Sequence, residues 1–151
     1  MLMTLSSSLW KVLKAGVTYF GLVFGMGFIL GPIRIALVVP QVGERIAELM
    51  EMPLMLAVII FAARWVVRKF NVPPTVGLRL GIGFLAVAFV VILEFTLVLK
   101  LRGLTLTEYF QNRDPVAGTV YYLMLGVFAL MPWLVGNRDE EPVDCQLPNR
   151  S

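Results

Sequence analysis

The chain contains 151 residues with a formal net charge of +3, and it is 58% hydrophobic and 15% charged. Soluble domains average about 45–50% apolar and about 25% charged residues, so this composition argues against a soluble enzyme, a nucleic-acid-binding module and a disordered chain. The sequence has no histidine and one cysteine, Cys145, which excludes histidine-ligated metals, histidine-dependent catalysis and an intramolecular disulfide. We therefore expect no metal and no cofactor, and these counts favour a protein that is not an enzyme.

Four apolar stretches are predicted to cross a membrane as helices, since a bilayer core of about 30 Å requires roughly 20 apolar residues. They comprise residues 15–39, 53–67, 80–99 and 116–135. The second stretch is short unless its helix begins near Ile46. We predict an all-α fold in which residues 1–136 form an integral membrane four-helix bundle with up-down topology and a short amphipathic segment before the second span.

Short polar segments predict where the helices begin and end. Residues 71–74 are expected to end the second helix, and Asp114 with Pro115 is typical of an N-cap and first helical residue. Thr105 and Glu108 have the spacing of a capping box, which predicts a short interfacial helix over residues 106–112. Residues 137–151 contain four acids and two prolines and are predicted to form a disordered polar tail.

The distribution of lysine and arginine predicts the orientation in the membrane. With four spans, eight of the thirteen basic residues fall on the side that holds both termini, which predicts cytoplasmic termini. The first apolar run is too long for a signal peptide and lacks a cleavage site, so we interpret it as a retained span. The absence of a segment typical of organellar transit peptides favours a bacterial plasma (inner) membrane.

Glycine pairs at a spacing of four residues occur in the first span and at the start of the third, and such pairs allow membrane helices to approach closely. The pairs are Gly21 with Gly25, Gly27 with Gly31, and Gly77 with Gly81. The first two pairs face nearly opposite directions, because successive helical residues are about 100° apart. Each pair is predicted either to pack within the bundle or to contact another subunit. Gly31 with Pro32 is expected to kink or end the first helix.

One acidic residue, Glu94, lies within the third span and is predicted to lie about 7 Å from its outer end. A carboxylate in a bilayer is costly, on the order of 2.5–3.5 kcal/mol at the centre, so it must be protonated, paired or hydrated. Arg34 lies near the same end of the first span, and we expect it to pair with Glu94. The carboxylate is then either a proton- or cation-coupling group that faces a cavity, or a purely structural partner.

Three further acids precede the second span. Glu44, Glu48 and Glu51 are predicted to share one face of the amphipathic segment. We expect them to form a solvated face or to pair with basic residues on the same side, among them Arg34. Binding of a divalent cation by the three carboxylates is the alternative.

A basic cluster lies at the other end of the second span and comprises Arg64, Arg68 and Lys69. The long side chain of Arg64 is expected to extend to the membrane interface. The cluster is predicted to contact anionic lipid headgroups, with each charge contributing about 1 kcal/mol near a charged surface.

These features support three functional hypotheses. The first is a non-enzymatic accessory, assembly or interaction subunit of a larger membrane complex, with membrane lipids and a membrane protein or a second copy as partners, and no nucleic acid. The second is a small oligomeric transporter or channel that uses Glu94. The third is a lipid-binding or lipid-modifying protein with a metal in the acidic cluster. A water-accessible cavity at Glu94 favours transport, whereas a sealed pair with Arg34 favours a structural subunit.

Overall fold

The computed structural model describes residues 2–103, 105–111 and 114–138, and every regular element in these ranges is helical. The elements are α1 (Leu2–Ile33), a π-helical segment (Arg34–Val38), α2 (Val39–Val42), α3 (Glu44–Lys69), α4 (Val76–Arg102), α5 (Leu106–Gln111) and α6 (Pro115–Arg138). Within the described residues, four helical stretches are long and apolar enough to cross a membrane: residues 7–42, α3, the first 22 residues of α4, and most of α6. The predicted all-α fold with four spans is confirmed.

Local capping interactions define the helix ends. The Asp114 carboxylate accepts hydrogen bonds from the backbone N–H groups of Val116 (3.1 Å) and Ala117 (2.9 Å), so the predicted N-cap of α6 is confirmed. Thr105 and Glu108 form the predicted capping box, because the backbone N–H of Thr105 donates to Glu108 Oε2 at 2.8 Å and the N–H of Glu108 donates to Thr105 Oγ1 at 3.4 Å. The helix α6 continues through Arg138, and the rest of the predicted tail lies outside the described residues.

The segment before the second span forms the first turns of α3 instead of a separate amphipathic element. The helix begins at Glu44 and continues through Pro53 to Lys69. Gly43 separates it from α2 with a φ of +83°, a backbone conformation that a residue with a side chain rarely adopts. The second span is therefore as long as its neighbours, as the sequence allowed if the helix began before Pro53.

The four long helices form a ring in which α1 and α6 each contact both α3 and α4. Between α1 and α4 the contacts recur every four residues, and the residue numbers rise together on both helices. The pairs are Val12 with Gly81, Gly16 with Leu85, and Phe20 with Phe89. Between α4 and α6 the order is reversed, since Gly83 lies against Ala129 and Glu94 lies against Tyr121.

The buried core occupies one half of the bundle along its length, and all four long helices contribute to it. We call residues 12–23, 56–72, 76–89 and 126–136 the closed half. It contains nearly all of the buried apolar side chains, including Tyr19, Ala63, Val66, Ile82 and Phe128. Many large apolar side chains face outward, such as Phe61, Phe84 and Leu123. An outer surface of this kind is suited to lipid, and the four apolar helices indicate an integral membrane protein.

Close backbone approach holds the closed half together. A Cβ atom built on Gly83 would lie 1.8 Å from the carbonyl oxygen of Ala129, so α4 and α6 touch without any intervening side chain. At the end of the same interface, Gly136 packs directly against the guanidinium of Arg79, which is buried. On the other side of α4, Gly16 of α1 accommodates the side chain of Leu85. Glycines at these positions allow distances that alanine would not.

A tyrosine in this core donates to a backbone carbonyl of α6 that lacks its helical hydrogen bond. Pro132 lies inside α6 and has no N–H, so it leaves the carbonyl of Phe128, four residues earlier, without its helical donor. The hydroxyl of the fully buried Tyr19 donates a hydrogen bond to that carbonyl oxygen at 3.0 Å, and the Tyr19 and Phe128 rings stack with centroids 4.6 Å apart. In a bilayer a backbone carbonyl has no water to bind, so this contact supplies the missing partner.

Candidate intramembrane binding cavity

The described residues of 24–55 and 90–125 form an open half, where the long helices enclose a cavity instead of a core. Its volume is about 580 Å³, within the range of roughly 300–1,000 Å³ typical of small-molecule sites. Its floor is formed by Val23, Ile59 and Phe128 at the edge of the closed half. Phe128 lies about 20 Å along α6 from the start of that helix, so the cavity reaches deep into the bundle.

The wall of the cavity is apolar on most sides and polar at one end. Thirteen of its twenty lining residues are apolar, and three of these are methionines. The remaining seven are Gly27, Gly31, Arg34, Glu48, Glu51, Glu94 and Tyr121. A cavity of this composition can take a ligand that combines an apolar body with a polar or charged group.

The charged end contains an ion-paired triad. Nη1 of Arg34 lies 3.5 Å from Glu48 Oε1 and 3.2 Å from Glu51 Oε2, and all three side chains are mostly buried. The π-helical segment that follows α1 contacts α3, so Glu48 and Glu51 on successive turns of α3 both lie beside the guanidinium of Arg34. The Nε atom of Arg34 is buried and has no hydrogen-bond partner among the described residues. A ligand oxygen or a water molecule would satisfy this donor.

Glu94 lies on the opposite wall and has a different partner from the one predicted. Its carboxylate accepts a hydrogen bond from the hydroxyl of Tyr121 on α6. The described ion pairs of Arg34 are with the carboxylates of α3, and the described hydrogen bond of Glu94 is with the hydroxyl of Tyr121, so the predicted pair between Arg34 and Glu94 is not among these contacts. The alternative prediction, in which Arg34 pairs with acids before the second span, is confirmed for Glu48 and Glu51.

A local change of helix type accompanies the position of Arg34. The chain stays helical beyond Pro32. Helix α1 ends at Ile33, and the π-helical segment follows it directly. The N–H of Val39 bonds to the carbonyl of Arg34, five residues earlier. Such π-turns occur mostly as single turns within α-helices and are frequent at functional sites. Here the π-turn begins at the residue whose guanidinium lines the cavity.

The acidic face predicted before the second span is divided by the structure. Glu44 is exposed, whereas Glu48 and Glu51 line the cavity. In the part of the chain that the structure describes, no group of three or more histidine, cysteine, aspartate or glutamate side chains is arranged to hold a metal ion. The hypothesis of a metal in this cluster is not supported by the arrangement of the three carboxylates.

The predicted glycine pairs mostly face open space. Cβ atoms built on Gly21, Gly25, Gly31 and Gly77 would have no neighbour within 4 Å among the residues that the structure describes. Cβ atoms on Gly27 and Gly81 would make ordinary contacts with Met55 at 3.7 Å and Val12 at 3.6 Å. Among the described side chains no close contact supports packing within the bundle at these four glycines, and the choice between the two alternatives stays a prediction. Gly27 and Gly31 instead line the cavity.

The basic cluster lies at the end of α3 that is remote from the cavity. Arg64, Arg68 and Lys69 are all exposed. Lys69 ends the helix, and Arg68 is part of its last turn. Their exposure is compatible with contact to lipid headgroups, which stays a prediction.

Two tyrosines, one in the cavity wall and one in the closed half, are not apparent from the sequence patterns. Tyr121, the partner of Glu94, lies in an apolar span where a tyrosine gives no distinct pattern. Tyr19 donates to the Phe128 carbonyl that Pro132 leaves without a helical donor. A proline inside a membrane helix leaves an acceptor of this kind, which requires a donor from elsewhere. By that rule, the expected donor is a hydroxyl in one of the apolar spans, such as that of Tyr19.

Comparisons with models of protein families, with curated proteins and with solved structures found no match to this chain. Functional inference therefore depends on the cavity, on its charged residues and on the surfaces around it.

Proposed function

We propose that this protein is a small membrane transporter or carrier that binds a small molecule in the cavity between its four spans. The observation that supports this most directly is that Glu94 lines an open cavity of about 580 Å³. In the same cavity Arg34 is engaged by Glu48 and Glu51, and Glu94 accepts a hydrogen bond from Tyr121. Intramembrane acids that face a cavity are typical of substrate and ion pathways.

The proposed orientation places the mouth of the cavity on one side of the membrane. We propose an up-down bundle, which is supported by contacts in which residue numbers rise together between α1 and α4 and run in opposite senses between α4 and α6. With both termini in the cytoplasm of a bacterial cell, the charged end faces outward. The exposed Arg64, Arg68 and Lys69 then lie at the cytoplasmic surface, where they would contact anionic headgroups.

Accessibility of the cavity can be tested with cysteines in a Cys145→Ser background. Met124→Cys introduces a thiol into the cavity wall, and Ala86→Cys introduces one into the fully buried closed half. Intact cells are treated with a membrane-impermeant thiol reagent, and labelling is measured by mass shift. We expect Met124→Cys to react and Ala86→Cys to remain unmodified. Failure of Met124→Cys to react in intact cells and in membranes open on both sides would contradict the proposal.

The accessory-subunit hypothesis is a second candidate, favoured by the glycines of α1 that face away from the bundle. Gly21 and Gly25 have open space where a Cβ would be, so a helix of another subunit could approach this face closely. Purification in native-lipid particles followed by mass spectrometry tests this candidate. A stoichiometric membrane-protein partner that is lost in a Gly21→Leu/Gly25→Leu variant would support it, and a lone monomer would contradict it.

A further inference from the structure

We propose that the cavity binds a diffusible organic cation with an apolar, preferably aromatic, body. This inference rests on the proposed function, because it assigns the ligand class to the same cavity. The observation behind it is the juxtaposition of an excess of carboxylates with an aromatic and methionine-rich wall.

The sign of the ligand charge follows from the residues of the wall. Among the described lining residues, Glu48, Glu51 and Glu94 are acidic and Arg34 is the single basic residue. Arg34 lies within 4 Å of two of these carboxylates, so one guanidinium is shared between Glu48 and Glu51. An anion would lie beside three carboxyl groups and a single guanidinium in a poorly solvated space. A monovalent cation is the better match to carboxyl groups that outnumber basic groups, and charge complementarity of this kind determines which partner is accepted.

The nature of the ligand body follows from the remaining lining. Phe24, Phe28 and Phe128 contribute aromatic rings to the wall, and Phe24 stacks with its neighbours along α1. Rings attract cations through their negative faces, and this attraction strengthens when the cation is desolvated. Met52, Met55 and Met124 add flexible side chains that adapt to ligands of different shape. A hydrated inorganic ion would use little of this surface.

The volume also distinguishes an organic ligand from an inorganic ion. About 580 Å³ exceeds the space of a single metal ion many times, and the described residues form no metal-binding group. A drug-sized molecule with one positive charge fits both the size and the charge of the cavity. The charged residues at one end would orient such a ligand with its cationic group toward Glu94 and its body toward the apolar floor.

A pair of probes with the same shape and opposite charge provides the test. The full chain is placed in lipid nanodiscs, and binding of tetraphenylphosphonium and tetraphenylborate is measured by equilibrium dialysis, with empty nanodiscs of the same lipid as background. We expect saturable binding of the phosphonium at one site per chain, and at least tenfold weaker binding of the borate. Equal or tighter binding of the borate would overturn the proposal.

Substitutions locate the binding in the cavity. Glu94→Gln removes a lining carboxylate and is expected to weaken phosphonium binding at least tenfold, whereas Glu44→Gln removes an exposed carboxylate of the same charge and should have no effect. Gly31→Leu keeps every charge but fills the cavity, where the added Cβ has open space, and is also expected to weaken binding. Gly77→Leu adds the same side chain outside the cavity and is its matched control.

The combined outcomes separate this inference from the proposed function. If Glu94→Gln fails to fold, the Gly31→Leu variant and the comparison of the two probes still decide the matter. Wild-type phosphonium affinity in both Glu94→Gln and Gly31→Leu would overturn the inference. Binding of neither probe, together with reaction of Met124→Cys, would overturn the cation class and leave an accessible cavity. A lipid retained in the cavity and detected by native mass spectrometry would also overturn it, because the occupant would then be a lipid.

Discussion

Glycine has opposite roles in the closed and open halves of the bundle: it allows close helix contact in one and lines the cavity in the other. In the closed half, Gly83 brings α4 so near to α6 that an added Cβ would lie 1.8 Å from a backbone oxygen. In the open half, a Cβ on Gly31 would have no described neighbour within 4 Å, and the space beside it belongs to the cavity. Glycine alone therefore does not indicate close packing. What differs is whether another backbone faces the glycine.

The comparison suggests a division of roles along the bundle. The closed half contains the buried side chains and the internal hydrogen bond of Tyr19, so we expect it to supply most of the stability. The open half keeps charged groups within the spans, which cost free energy and are retained for binding in the proposed function. Regions that bind ligands are commonly drawn from the less stable parts of a fold. Substitutions in the two halves should therefore have different consequences.

The largest effect is expected for Gly83→Ala. The added methyl would clash with the Ala129 carbonyl, which is part of a helix and cannot rotate away as a side chain can. We expect the free energy of unfolding to fall by about 3 kcal/mol or more, at or beyond the upper end for overpacked cores. Gly77→Ala adds the same methyl to the same helix in open space and is the control. Equal stability of the two variants during unfolding in mixed micelles would contradict the close approach of α4 and α6.

Helix ends and spans could be predicted from the sequence because they depend on local interactions. The capping box of Thr105 and Glu108, the N-cap at Asp114 and the length of each apolar run need only neighbouring residues. These predictions required no knowledge of how the helices are rotated. The sequence alone does not determine the start of α3, since Pro53 is equally compatible with a helix end and with a position inside a membrane helix.

Lateral contacts could not be predicted in the same way. Side chains that face lipid and side chains that face the core are both apolar, so hydrophobic periodicity does not reveal which face of a membrane helix meets a neighbour. Arg34 and Glu94 lie near the same end of the bundle as expected, and both line the cavity. Their actual partners depend on the rotations of α3 and α6, which bring Glu51 and Tyr121 into reach.

A second prediction concerns the ion-paired triad of the open half. Arg34→Met leaves Glu48 and Glu51 close together without their shared guanidinium. We expect a loss of about 1–3 kcal/mol in stability at neutral pH, between the values for exposed and fully buried pairs. The triple variant Arg34→Met/Glu48→Gln/Glu51→Gln removes all three charges and should recover most of this loss. Equilibrium unfolding of both variants in mixed micelles measures the change in the free energy of unfolding. No recovery in the triple variant would show that the stabilising contacts are not electrostatic.

A smaller effect is expected for Tyr19→Phe in the closed half. The substitution preserves the stacked ring but removes the donor to the Phe128 carbonyl, which Pro132 leaves without a helical partner. Interhelical hydrogen bonds in membranes contribute about 0.6–1.7 kcal/mol, and we expect a loss in that range. Tyr122→Phe, at an exposed position of α6, is the control. Unfolding monitored by circular dichroism should separate the two variants, and equal stabilities would mean that another donor satisfies the carbonyl.

The smallest effect concerns the junction of α3 and α6 at the rim of the open half. The hydrogen bond from Arg45 Nε at 2.8 Å, together with the N–H groups of Ala117 and Val116, lowers the pKa of the Asp114 carboxyl below its ordinary value. A carboxylate with a lowered folded-state pKa contributes stability above the unfolded-state pKa of about 3.9 and loses it as the pH falls through the folded-state value. Amide exchange at the start of α6 should therefore accelerate, relative to the centre of that helix, when the pH is lowered below about 4.

Asp114→Asn distinguishes this effect from general acid destabilisation. Asparagine keeps an N-cap oxygen but has no charge for Arg45, so exchange in the variant should be faster at neutral pH and should lose the additional acceleration in acid. Glu108, whose pKa is lowered by the N–H and hydroxyl of Thr105, titrates in the same direction at the start of α5. Its influence should be confined to that short helix. A pH dependence at the start of α6 that is the same in Asp114→Asn and the wild type would show that the Arg45–Asp114 contact does not link the two helices.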